Sequence, residues 1–273
     1  MSLATTPGRI ERKAVQDLPW SLWVRQIRAI VRLELKKTLL GKRSWGVYLL
    51  AAAPVLIFSL RALVDLPKEA VTQLGGLGVI FATVFRTFIL RFALFFGCVA
   101  VFTNLFRGDV LERTLHYYFL LPLRREVLAV AKYASGLLTV FLVFGASTAA
   151  SFLLLYAPAG SAEVRQFFFA GPGLGHLSAY LGVTLLACIG YGAVFLLMGL
   201  LFRNPIIPAA VVLGWESINF LLPPALKKIS VIYYLESLCP VPLPAGPITL
   251  LADPAPAWVS IPGLLVLTAA LLF

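Results

Sequence analysis

Apolar residues along this chain gather into long uninterrupted runs separated by short polar or basic stretches. Six runs stand out: "WGVYLLAAAPVLIFSLRALV" (45–64), residues 79–106 within "GVIFATVFRTFILRFALFFGCVAVFTNLF", "YASGLLTVFLVFGASTAASFLLLY" (133–156), "LSAYLGVTLLACIGYGAVFLLMGLLF" (177–202), "IIPAAVVLGWESINFLL" (206–222) and "AWVSIPGLLVLTAALLF" (257–273). Most have the roughly 17 to 25 residues that a helix needs to cross about 30 Å of hydrocarbon. None alternates with period two, as the strands of a membrane barrel would. The pattern predicts an all-α, polytopic membrane protein with about six transmembrane helices over 45–273. The third and fourth runs carry no charge, the fifth is short and polar in its second half, and the sixth reaches residue 273 without a basic flank, as it would if the natural chain ran further.

Two other segments have helical rhythm with polar faces. In "WSLWVRQIRAIVRLELKKTLLGKR" (20–43), Trp20, Trp23, Val24, Ile27, Ile30 and Val31 recur at three- and four-residue steps, while Arg25, Arg28, Arg32 and Lys36 follow the same steps on another face. Such a stripe predicts an interfacial amphipathic helix within the arm 1–44, lying in the headgroup layer before Gly41 turns the chain into the first span. The second segment is the loop between runs two and three. There Asp109, Glu112, Arg113 and His116 share one helical face, Val110, Leu111, Thr114, Leu115 and Tyr118 interleave with them, and Pro122 ends the pattern before "LRRE". A short helix over about 109–121 follows, with Asp109 in its first turn, where a carboxylate offsets the positive helix end. A charged helix clamped between two spans is suited to receiving force from a soluble partner.

Composition agrees with this reading. Hydrophobic residues make up 60% of the chain, charged residues 13%, and the mean hydropathy is +0.92, against about a quarter charged in ordinary soluble proteins. Basic residues set the orientation: residues 1–44, 107–132 and 203–205 together hold 16 of the 23 lysines and arginines. That places the N-terminus in the cytoplasm and the chain in the cell (inner) membrane as a multi-pass protein. The net charge of +11 is thus topological and matched to anionic lipid headgroups, and nucleic acid is not an expected partner. The three cysteines form no CxxC, and His116 and His176 fall on opposite sides of the membrane, so no disulfide framework and no metal site are expected. The first apolar run begins after some 44 residues, unlike a secretory signal.

With those residues in view, "GDVLERTLHYYFLLPLRREVLAVAKY" (108–133) resembles the first cytoplasmic loop of type-2 ATP-binding-cassette exporter permeases. Glu112, Thr114, Leu115, Pro122, Arg124, Arg125 and Lys132 occupy the matching positions. "RLELKKTLLGKRSW" (32–45) is similar to the basic stretch before the first span in that family, and Arg113 stands where many members have glycine. The resemblance implies two permease copies pairing as a homo- or heterodimer. Each would dock a separate ATPase subunit through a cytoplasmic coupling helix, with Asp109, Glu112, Arg113 and His116 at the contact and Arg124 and Arg125 flanking it. ATP and Mg would then be bound by the partner, with no cofactor on this chain. No Walker motif is present: "LGKRS" (40–44) has Lys36 where the first glycine should stand, and "GPGLGH" (171–176) has no lysine. The chain is expected to be a transport subunit, not an enzyme. Helices dipping back from the outer face within 223–258 are also typical of the family.

Three polar residues inside runs invite a transport role. Glu216 stands about 15 Å into the fifth run with Asn219 at i+3; the pair either lines a translocation path or bonds a neighbouring helix. Arg86 either joins that path or is interfacial, with Arg91 snorkelling, if the second span starts near residue 88. Gly145/Ala149, Ser178/Gly182 and Gly190, Gly192 and Gly199 mark close helix approach, within one protomer or at a dimer seam. Two other classes stay open. A structural subunit of another membrane complex would also want a docking helix, and an intramembrane enzyme would have only Glu216 to work with.

Overall fold

The computed structural model describes residues 20–41, 44–63, 74–111, 124–158, 164–202, 204–219, 223–242 and 256–272. Among these every regular element is helical. Helix α1 (Trp20–Leu40) ends at Gly41 and hands the chain to α2 (Trp45–Leu63). A continuous rod follows, made of α3 (Leu74–Val84), a π-helical segment (Phe85–Leu94) and α4 (Phe95–Leu111). Then come α5 (Arg125–Tyr156), a short π turn (Gln166–Ala170) and α6 (Gly173–Leu201). The remainder is shorter: α7 (Ile206–Ile218), α8 (Pro224–Lys227), α9 (Val231–Ser237) and α10 (Ala257–Leu272).

Among the described residues four helices are long and apolar enough to cross a membrane, namely 45–63, 76–105, 125–156 and 173–201, while α7 and α10 are shorter apolar helices. The long ones bury one another. α5 packs along α1, α2 and α6, and α6 packs along α4 and α10. Their seams are lined by aromatic rings: Phe81 meets Phe152 and Tyr180 edge-on at 5.0 and 4.8 Å, and Phe95 meets Phe195 at 4.9 Å. Glycines open the other seams. A Cβ on Gly199 would lie 2.9 Å from the Thr103 backbone, and one on Gly192 would lie 2.6 Å from the Phe102 ring, so α4 and α6 approach closely only because these positions lack side chains. Gly182 meets nothing within 4 Å.

Several boundaries differ from the sequence reading. α5 starts at Arg125, eight residues before the apolar run, because "REVLAVAK" buries Val127, Ala131 and Lys132 and so continues the same face. α4 runs through Leu111, which puts Asp109 in the last turn of this helix and not in the first turn of a separate one. The second span begins far ahead of residue 88, so Arg86 and Arg91 lie within the rod. The amphipathic arm also has an unexpected neighbour. Its inward side, with Trp23, Ile27 and Ile30 half-buried and Glu34 buried, faces α5, whereas Val24 and Leu33 on the outward side are 51% and 59% exposed.

The π-helical segment has a consequence for its two arginines. Its i→i+5 repeat brings residues five apart over one another, and the buried set Phe85, Ile89, Leu90, Ala93 and Leu94 follows that wider step. Arg86 and Arg91, five apart, therefore share one face, where an α-helix would turn them well away from each other.

Candidate functional site

Two polar clusters interrupt the apolar bundle. The first joins three helices, α1, α4 and α5. Lys132, wholly buried on α5, donates to Glu34 of α1 at 2.7 Å and to the Leu105 carbonyl of α4 at 2.8 Å. The Glu34 side chain is only 4% exposed. An isolated charge of either sign would be costly there, and the pair persists because each neutralises the other and the carbonyl takes up a further ammonium proton. Close by, the Arg124 guanidinium sits 4.9 Å over the Trp23 ring, joining the start of α5 to α1 by a cation–π contact. Arg125 is exposed beside it. Of the remaining residues in the expected docking set, Glu112, Arg113 and His116 lie outside the described residues, and Asp109 is placed on α4 by its backbone alone.

The second cluster surrounds α9 in the middle of the bundle. Val231 and Leu264 lie where a Cβ on Gly190 would stand, at 2.9 and 3.0 Å. Gly190 is 17 residues from the start of α6, so α9 reaches roughly 25 Å along that helix. Ser237 and Ser260 bond at 2.7 Å, and Tyr234 packs on Gly263, so α9 runs antiparallel to α10. α9 is fixed at both ends. At its N-terminus the buried Glu216 carboxylate of α7 accepts hydrogen bonds from the Ser230 hydroxyl at 2.6 Å and from the amides of Val231 and Ile232 at 3.0 Å each. A carboxylate suits that position because the first amides of a helix have no internal acceptor and carry partial positive charge. At the other end Arg91 donates twice to Glu236, at 2.7 and 3.3 Å.

A cavity of about 80 Å³ adjoins these groups, lined by Arg91, Phe92, Phe95, Tyr191, Leu213, Glu216 and Ser217. Asn219, expected to share a face with Glu216, is buried, and its side-chain carbonyl has no hydrogen-bond partner. Arg86 points elsewhere and donates to the Val241 carbonyl at 3.0 Å. Arg86 is thus tied to the chain after α9, and Arg91 is ion-paired with Glu236. Burial pushes the Cys239 thiol up to about 11, with the Arg86 charge acting the other way. Among the described residues no group of histidine, cysteine and acidic side chains could hold a metal ion. Lys132 and Glu236 were missed as site residues by sequence reasoning: Lys132 was read only as part of a motif, and Glu236 carried no periodic signal. Comparison with known protein families, with curated proteins and with solved structures finds no match for this chain.

Proposed function

We propose that the chain is the membrane subunit of an ATP-driven exporter, in which two permease copies pair and each docks a separate ATPase through its first cytoplasmic loop. The junction of Lys132, Glu34 and the Leu105 carbonyl carries the proposal. It fastens both flanks of the charged loop, and α1 with them, to one buried point, so a push on the loop reaches three helices at once. A loop needed only for topology has no use for such an anchor. α7 and α10 complete six crossings, with the arm and the loop on the cytoplasmic side, and α9 is a segment that dips back from the outer face. Glu216 serves as the acceptor that holds α9 in place, and its three hydrogen bonds favour this role over catalysis.

The test is purification of the full chain from its host in mild detergent, with identification of what accompanies it. An ATPase with a Walker motif should copurify with the native chain and be lost from a Glu112→Lys, Arg113→Glu variant that still folds. Recovery of the chain alone, or only with partners lacking a nucleotide site, would overturn the proposal.

A further inference from the structure

We propose that the cavity beside Glu216 binds the head of an amphiphilic organic ammonium ion, whose apolar part leaves past Phe92. The cavity has a closed side and an open one. Phe95, Tyr191 and Glu216 in its lining are buried, whereas Phe92 is 50% exposed and Ser217 is exposed. A single water needs about 10–15 Å³ of such space, so about 80 Å³ is room for a small organic head group. Phe92 and the half-buried Leu213 give an apolar tail its way out.

Charge selects the sign of the ligand. The Glu216 carboxylate accepts three hydrogen bonds, all from uncharged donors, and a carboxylate offers about four acceptor sites. Among the described residues no lysine or arginine forms an ion pair with it. The one cation in the cavity lining, Arg91, gives both Nε and Nη2 to Glu236. Two carboxylates thus stand against one guanidinium, and a ligand cation would restore the balance, since buried charge is costly unless paired. The lining then selects an organic cation. The Phe95 and Tyr191 rings lie 5.5 Å apart at 75° to each other, forming two walls of a corner, and Phe92 adds a third ring. Aromatic faces attract ammonium groups, most strongly where water is excluded. Side-chain oxygens come only from Tyr191, Glu216 and Ser217, too few for a hard metal ion.

The proposal stands whether or not the chain is an exporter. It is tested on the full chain in dodecyl maltoside, an uncharged detergent, by following the unfolding midpoint. Choline chloride is titrated beside the uncharged alcohol in which carbon replaces the choline nitrogen, with sodium chloride matching the ionic strength. The expected result is a saturable rise in the midpoint with choline and none with the alcohol. Apparent affinity should fall about tenfold or more in Tyr191→Leu and in Glu216→Gln, whereas Tyr191→Phe, which keeps the ring face, should bind within about twofold of the native chain. The tyrosine variants keep the test sharp should Glu216→Gln fail to fold. The absence of a saturable response to choline, an equal response to the alcohol, or unchanged affinity in Tyr191→Leu would overturn the proposal.

Discussion

The buried Lys132–Glu34 pair allows a prediction that separates an anchor from an incidental contact. Replacing Glu34 by Gln leaves the shape of the junction intact but removes the carboxylate that pairs with the Lys132 ammonium, which is 0% exposed. Removing one partner of a buried ion pair typically costs roughly 3–5 kcal/mol. Lys132→Met strands the carboxylate and should cost a similar amount. The double variant, Lys132→Met with Glu34→Met, buries no charge, and replacing both partners with apolar side chains of similar volume is often neutral. It should therefore be more stable than either single variant. The assay is denaturant unfolding of the full chain in detergent, read by tryptophan fluorescence, because Trp23 sits on α1 beneath Arg124. Single variants that each lose under about 1 kcal/mol, with effects that add in the double variant, would show that the pair is not coupled. The force-bearing junction would then have no energetic basis.

Gly199→Ala should destabilise by about 1–3 kcal/mol in the same assay, because its Cβ would meet the Thr103 backbone at 2.9 Å and no rotamer relieves that; Gly182→Ala, with nothing within 4 Å, should be near neutral. Glu216→Gln places an amide where three donors converge and should cost roughly 1–3 kcal/mol, with faster hydrogen exchange at Val231 and Ile232 as the local readout. Alkylation of Cys239 should be slow at pH 8 and quicken about tenfold per pH unit toward 11; Arg86→Gln, by removing the cation that opposes burial, should slow it further at a fixed pH.

The long helices were legible because hydrocarbon-length apolar runs are a signal that needs no tertiary information. The ends were not. Nothing in "LRREVLAVAK" shows that a lysine eight residues into a helix will be wholly buried, because the carboxylate that permits it lies 98 residues earlier. Likewise periodicity marks α1 as a helix, but it cannot say whether the inward side meets lipid or, as here, α5, and it wrongly put the exposed Val24 on that side.

The arginines of the second span show where local pattern fails in a different way. On an α-helical wheel Arg86 and Arg91 diverge, and each in isolation looks like a snorkelling side chain near a span end. The π-helical register turns both toward the chain between α9 and residue 242, where Glu236 and the Val241 carbonyl receive them. The two half-buried guanidinium groups have unequal partners, a carboxylate for one and a carbonyl for the other. Arg91 is neutralised, whereas among the described residues no carboxylate pairs with Arg86. The partners lie 145 and 155 residues further along the chain, so nothing within the second span's own sequence announces them.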